Sequence, residues 1–259
     1  MQFITVSRKD RVTTVTLNRP EVMNAINPEM HAQLQAAFDD FAQDADQWLC
    51  VVTGAGERAF CAGSDLKAAA ASGLPPHYPR SGYAGLIERF DCPKPFIAAV
   101  NGIALGGGFE LALACDLIIA SDKAVFGLPE PLVGAVALGG GLHRLARQMP
   151  LKQAMGAILA SRRIPADEAL RYGLVNEVVP PADLAAATDR WCADILRGSP
   201  VSVRTSKAVV QRGLSEPDIE TAMRHQLDYP EFKAWRASED AKEGPRAFAE
   251  KRRPQWKGT

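Results

Sequence analysis

The stretch from Phe96 to Ala120 constrains this chain more than any other. It is nearly all apolar and long enough to suggest a membrane span, which needs about 20 such residues. Its content argues against one. Asn101, Glu110 and Asp116 interrupt it, as do Gly102, Gly106, Gly107 and Gly108. Three consecutive glycines break the run into strand, loop and helix. The pattern therefore predicts a buried β-loop-α unit: a strand over 96–100, a helix over 107–114 and a strand over 117–120. Glu110 then stands in the first turn of an apolar helix, where a carboxylate is costly unless it is paired, hydrogen-bonded or used. Asp116 reads as a strand-entry acid bonded to nearby backbone.

The surrounding sequence extends the same alternation. Phe3–Val6 and Val12–Leu17 flank the polar Lys9-Asp10 and read as a hairpin. Asn27-Pro28-Glu29 is a helix start, a capping Asn followed by Pro at the first helical position. Met30, Leu34, Phe38 and Phe41 then recur at helical spacing. Residues 48–53 read as a buried strand and 83–90 as a short helix. Residues 68–80, with Pro75, Pro76 and Pro79, read as a mobile loop or lid. A short strand over 124–126 ends at Gly127-Leu128-Pro129-Glu130-Pro131. Residues 138–160 read as two helices split near Pro150, 165–172 as another, and 174–179 as a last strand. Beyond Pro180, helices are expected over 182–196, 200–212, 217–227 and 238–249, with no strand among them. The chain is therefore α/β, with stacked β-β-α turns or an open parallel sheet, and helical afterwards.

Composition excludes several classes of function. Among 259 residues, 30 Lys and Arg balance 30 Asp and Glu, so the surface lacks the basic excess of a nucleic-acid binder. Five scattered cysteines form no disulfide scaffold. With no basic-then-apolar N-terminal pattern, they point to a reducing, cytoplasmic compartment. Four histidines far apart lack metal-ligand spacing. No Gly-x-Ser-x-Gly hydrolase elbow is present, and His143 reads as a surface or capping residue. Gly54-Ala55-Gly56-Glu57-Arg58-Ala59 fits a dinucleotide-binding pattern. That mechanism needs a helix opening at the glycines and an acid about 20 residues on. Loop-like Phe60-Cys61-Ala62-Gly63 follows instead, and 68–80 holds no acid.

Three features carry chemistry. Ala62-Gly63-Ser64-Asp65-Leu66 is a small-residue loop leading toward a helix. Asn101 to Glu110 is a strand exit into a glycine-rich helix start. Phe126-Gly127-Leu128-Pro129-Glu130 places a carboxylate on a stiff turn. Glycine loops expose backbone amides to close approach, and two convergent amides at a helix N-terminus make an oxyanion hole. Two carboxylates beside such a hole are a toolkit for proton transfer next to a carbonyl. From spacing alone a second reading stays open: Glu110 as an acceptor for helix amides, and Glu130 as a surface turn residue.

The run from Ala98 to Asp116 resembles the signature of the crotonase, or enoyl-CoA hydratase/isomerase, superfamily. Ala59–Leu66, Phe126–Glu130, Ala169–Val179 and the tail Glu250–Gly258 support the likeness, which covers essentially the whole chain. The resemblance implies the crotonase (ClpP-like) spiral of β-β-α turns over residues 1–198, with a helical trimerisation region over 199–259. It implies a homotrimer or a dimer of trimers. Some members of the family bind RNA, but zero net charge argues against a nucleic-acid partner here, and the interrupted apolar run argues against a membrane. It implies an enoyl-CoA thioester as substrate and no cofactor besides the CoA that substrate carries. The Ser64 and Gly107 amides would hold the thioester oxygen. Glu110 and Glu130 stand where hydratases place their two carboxylates, which favours hydration or dehydration over isomerisation by one acid. Ala62, Asp65 and Leu66 would line the CoA site, with Arg58 and Lys67 as phosphate contacts or, equally, as solvated surface residues. Ser64 stands where many hydratases have Ala; its amide, the relevant donor, is unaffected. Pro131 and Ala137-Leu138-Gly139-Gly140-Gly141 depart from the commoner hydratase loop and alter the acyl pocket. Residues 64–70, 108–114 and 238–252 are similar to the carnitinyl-CoA dehydratase branch in particular.

Overall fold

The computed structural model describes residues 2–68 and 78–259. Most of the expected 68–80 loop, including Pro75 and Pro76, lies outside the described residues. The chain forms two compact units, Met1–Arg89 with Phe96–Arg190, and Phe90–Pro95 with Trp191–Thr259. The change from α/β to helical pattern is expected near Pro180, and the family resemblance puts the domain boundary at 198/199. The units divide inside the helix Leu184–Leu196, between Arg190 and Trp191.

The first unit starts with the expected hairpin, β1 (Ile4–Lys9) antiparallel to β2 (Val12–Leu17). Asp10 and Arg11 turn it with φ of 47° and 74°. β2 alternates half-buried and buried residues, whereas β3 (Leu49–Gly54) and β5 (Phe96–Val100) are buried almost throughout. That difference reflects position in the six-stranded sheet, whose order is β1-β2-β3-β5-β7-β10. Here β7 is Leu117–Ser121 and β10 is Glu177–Val179, and β3, β5, β7 and β10 run parallel. Central parallel strands read as continuous apolar runs because both faces are covered. α1 (Pro28–Gln43) starts as predicted, with Asn27 Oδ1 accepting from the Met30 amide at 2.9 Å. Its Phe38 and Phe41 meet Phe96 edge-on, with ring centroids 5.7 and 5.3 Å apart.

A second, four-stranded sheet has the order β4-β6-β8-β9. Its strands are β4 (Ala59–Cys61), β6 (Ile103–Leu105), β8 (Val125–Gly127) and β9 (Ile164–Pro165). Three times, then, the chain places a strand in the large sheet and the next in the small one: β3 to β4, β5 to β6, β7 to β8. This is the stacked, spiralling repeat expected of β-β-α turns. The chain after Gly54 enters β4 rather than a helix, so the dinucleotide-like glycines belong to a strand-to-strand turn. The central helix α2 spans Gly107–Ala114, as its sequence predicts. Asp116 Oδ2 accepts from the Phe96 amide at 2.8 Å, the backbone role expected of it.

Two expectations need correction. Residues 83–90 do not form a regular helix. Tyr83–Gly85 is a single kinked 3-10 turn in which Ala84 is left-handed. The expected helix from 138 begins at Gly141 as α3 (Gly141–Gln148), followed after Pro150 by α4 (Leu151–Leu159). α5 (Ala166–Arg171) ends near Gly173, as expected, and α6 (Leu184–Leu196) carries the chain across the boundary.

The second unit holds α7 (Pro200–Gly213), α8 (Ile219–His225), α9 (Pro230–Ala237) and α10 (Glu239–Ala249). α9 was not expected, although Pro230 stands at its first position and signals a helix start. Ser199, Asp218 and Ser238 cap their helices through side-chain oxygens. Buried Asp240 accepts from Ser199 Oγ at 2.8 Å and from the Lys257 amide at 2.8 Å, which fastens the C-terminal tail. Among the described residues, no helix is long and apolar enough to cross a membrane.

Candidate active site

The triple glycine that splits the long apolar run sets the geometry. Helix α2 starts at Gly107 against the loop that follows β4. A Cβ on Gly63 would lie 3.3 Å from the Gly107 nitrogen and 2.9 Å from the Leu105 oxygen, and a Cβ on Gly108 would overlap the Cys61 carbonyl. The 62–64 loop and the α2 N-terminus therefore touch backbone to backbone. The loop is fixed from the other side as well, because the Ile26 amide donates to the Gly63 oxygen (2.8 Å) and the Asp65 amide to the Ile26 oxygen (3.0 Å). Neither the Ser64 amide nor the Gly107 amide appears in a bond to another described carbonyl, and Gly107 at the first helical position has no intrahelical acceptor.

Glu110 follows one turn into α2 and is 4% exposed. The Gly141 amide donates to its Oε1 at 2.9 Å. A Cβ on Gly139 would overlap Glu110 Oε2, and one on Gly141 would lie 2.9 Å from Oε1. The Gly139-Gly140-Gly141 loop can therefore close over the carboxylate only because it carries no side chains. Burial raises the Glu110 pKa above the ordinary carboxylate value; the Gly141 amide opposes this, and the charge of Glu130 adds to it. Arg144, one turn into α3, is a nearby cation that favours the ionised form. Its guanidinium also donates to the Ile87 oxygen at 2.6 Å.

Glu130 reaches the same place from the turn after β8. Its Oε1 would be 2.9 Å from a Cβ on Gly106, the residue that precedes α2. Its Oε2 is buried and has no hydrogen-bond partner among the described residues. Burial raises its pKa as well. A buried carboxylate oxygen with no donor is costly, so this oxygen adds no hydrogen bond to the fold among the described residues. The structure thus brings Ser64, Gly107, Glu110 and Glu130 into one place, with Glu110 accepting the first amide of α3 and Glu130 half-buried on its turn. Two acids with raised pKa values beside two amides that have no described acceptor can polarise a carbonyl and move a proton.

The expected CoA-site residues separate. Ala62 is half-buried; Leu66, Arg58 and Lys67 are exposed. Neither Arg58 nor Lys67 has an ion-pair partner among the described residues. Asp65 is committed elsewhere. One oxygen accepts from the Ala68 amide (3.1 Å) as the cap of a helical turn over 66–68, and the other pairs with largely buried Arg19 at 3.0 Å. The Ala68 amide and Arg19 hold its pKa below the ordinary value against the cost of burial. All five cysteines are free and buried, and burial pushes the Cys61 thiol up to about 12.

Sequence reasoning missed the glycines 139 and 141 as holders of Glu110, and Tyr83, whose hydroxyl lies 3.3 Å from Ser64 Oγ. The 139–141 triplet before a helix was the available signal, because it repeats the 106–108 pattern. Tyr83 offered none, since the 3-10 turn that carries it has no periodicity.

Comparison with known proteins places this geometry. The family model for enoyl-CoA hydratase/isomerase matches residues 7–259. A carnitinyl-CoA dehydratase of Proteus mirabilis is 41% identical over 263 residues, covering 99% of this chain and 99% of that protein. Among solved structures, the enoyl-CoA hydratase of Mycobacterium tuberculosis aligns over 100% of both chains at 37% identity with a TM-score of 0.92. That of Bacillus anthracis does so at 35% identity with a TM-score of 0.90.

Proposed function

We propose that this chain, which belongs to the enoyl-CoA hydratase/isomerase family, adds water reversibly across the 2,3-double bond of an enoyl-CoA thioester. The observation that carries the reading is the convergence of two pKa-raised carboxyls, one buried and one half-buried, on the α2 N-terminus, the second with an oxygen left without a donor among the described residues. The Ser64 and Gly107 amides polarise the thioester and stabilise the enolate-like transition state. One such donor is worth about 3–4 kcal/mol. Glu110, oriented by the Gly141 amide, positions and deprotonates water for attack at C3. Glu130 delivers a proton to C2. In the reverse direction the same pair removes water, so dehydration needs no further group.

The acyl group defines a second reading. The 41% identity to a carnitinyl-CoA dehydratase over nearly the full length favours a substrate of that kind, with the same two acids acting on it. An isomerase would need only one acid, and the retention of both disfavours it. A panel of crotonyl-CoA, longer 2-enoyl-CoAs, crotonobetainyl-CoA and a 3-enoyl-CoA separates the three readings. Hydration of a 2-enoyl ester that is lost in Glu110→Gln and in Glu130→Gln supports this one. Near-native rates in both variants, or turnover of the 3-enoyl ester alone, would sink it.

The chain works as a trimer or a dimer of trimers. Leu214, Ile219, Met223 and Phe248 of the second unit are large apolar side chains left mostly exposed in the single chain, a pattern that marks interaction surfaces. A monomer in sedimentation would contradict this. Free, buried cysteines are in keeping with a reducing, cytoplasmic setting.

A further inference from the structure

Tyr83 is assigned no role above, yet the fold goes to unusual lengths to place it. Ala84, which follows it, is left-handed at φ 54°, between Gly82 at φ 74° and Gly85 at φ 65°. A non-glycine residue in that region is strained and persists only where its surroundings over-determine it. Here they do. The Ala84 amide donates to His31 Nδ1 at 3.0 Å, and a Cβ on Gly85 would lie 2.6 Å from the Gln35 Cα of α1. His31 is held neutral, because burial lowers its pKa to about 4, so Nδ1 remains an acceptor. The His31 ring then packs edge-on against Tyr83 at 4.6 Å, and Tyr78 does so from another side at 5.5 Å.

What this placement achieves is visible at the hydroxyl. Tyr83 is 3% exposed, and its Oη lies 3.3 Å from Ser64 Oγ. A Cβ on Gly107 would stand 2.5 Å from the same Oη. One phenolic oxygen thus reaches both residues whose amides would bind the thioester oxygen. Two hydroxyls share two protons, and one bond between them uses one. With Ser64 Oγ donating to Oη, the Tyr83 O–H has no acceptor among the described residues, although the phenol is buried. Burial also raises the Tyr83 pKa well above 10, so the group stays a donor at working pH. Buried tyrosine donors serve this purpose at other enolate-forming sites.

We propose that Tyr83 Oη donates a third hydrogen bond to the thioester oxygen, beside the Ser64 and Gly107 amides, with Ser64 Oγ donating to Oη and so setting its direction. The proposal rests on the hydratase reading for its substrate. No bond is made or broken at Tyr83; the proton stays on the phenol throughout.

Tyr83→Phe keeps the ring and removes the donor. The expected result is a kcat for 2-enoyl-CoA hydration about 10- to 100-fold lower, with KM changed less than about threefold. A second readout is spectroscopic. 4-Dimethylaminocinnamoyl-CoA is a push–pull enoyl ester whose absorption moves to the red as its carbonyl is polarised, and the shift on binding should shrink in Y83F. A kcat within twofold of wild type together with an unchanged red shift would overturn the proposal. If Y83F melts below the assay temperature, S64A carries the test: the red shift should fall as Oη loses its orienting partner, and an unchanged shift would again overturn it. The two levels fail separately. A wild-type protein that hydrates no 2-enoyl-CoA contradicts the hydratase reading, whereas the red shift in wild type against Y83F still reports on the donor.

Discussion

Glu110 and Glu130 in the first unit, and Asp240 and Glu243 in the second, are all acids withdrawn from water, but they are treated in opposite ways. Asp240 accepts from Ser199 Oγ and from the Lys257 and Gly258 amides. Glu243 is bound by Arg246, Arg252 and the Gln255 amide, and Arg252 in particular holds its pKa far below the usual carboxylate range. Nearly every lone pair there has a donor. In the first unit Glu130 Oε2 has none among the described residues, and burial raises both pKa values. Under the proposed function, the difference separates acids that hold the chain together from acids kept for chemistry. Saturated carboxylates stabilise; under-supplied ones cost stability and remain available to a proton.

That contrast can be broken by experiment. Replacing Glu110 or Glu130 with Gln should lower kcat by about 10²–10⁴-fold, the usual contribution of a general acid or base. The melting temperature at pH 7 should stay level or rise. A variant that loses activity only because it unfolds would put these acids in the structural class. Gly139→Ala should cost up to about 100-fold in kcat by pushing its Cβ into Glu110 Oε2, with a far smaller change in KM.

The second unit should respond the other way. Asp240→Ala strands Ser199 Oγ and two tail amides, each unsatisfied buried group costing about 1–3 kcal/mol. The expected outcome is a clear drop in melting temperature and faster proteolysis of the C-terminal tail, read by limited trypsin digestion. An unchanged melting curve would remove Asp240 from the structural class.

The pH dependence follows the same division. A carboxyl whose folded pKa is raised is penalised once pH climbs through its unfolded value, and fully so above the folded one. The advantage of Glu130→Gln over wild type in melting temperature should therefore be largest near pH 7–8 and vanish as pH falls below 4.5, the ordinary value. Glu243 runs opposite: its contribution is complete above that value and is lost only as pH falls toward its depressed folded pKa. A constant difference across the pH range would mean that Glu130 is not penalised by burial. The smallest effect is expected at Arg58 and Lys67, both exposed. Their replacement by Ala should raise KM for the CoA ester a few-fold and spare kcat, and an unchanged KM would free them of any phosphate contact.

Much of the first unit was legible because its elements are long or strongly marked. α2 and β5 could be read from one apolar run broken by glycines, and α1 from Asn27, Pro28 and four apolar residues at helical spacing. The second sheet was largely illegible, since β4 and β6 are three residues each and too short for any period to show. Of the site, Glu110 and Glu130 could be found as acids in the wrong surroundings. The groups that hold them could not. Gly139 and Gly141 act by lacking a side chain, some thirty residues away from Glu110, and Tyr83 depends on a strained turn fixed by His31 from α1. At Asp65 the cap on the Ala68 amide is local, whereas the pair with Arg19, 46 residues away, belongs to tertiary structure.

The glycines around the site also bear on how freely this protein can change. Positions 106, 107, 108, 139 and 141 each face a carboxylate oxygen, a phenol or a carbonyl at a distance that leaves no room for even a methyl group. Every amino acid reachable from a glycine codon by one base change is larger. In a scan of all single substitutions these five positions should therefore form a wall of intolerance around the two acids. Variation that retunes the substrate would have to enter elsewhere, through the residues that line the acyl group rather than through the frame that holds the chemistry.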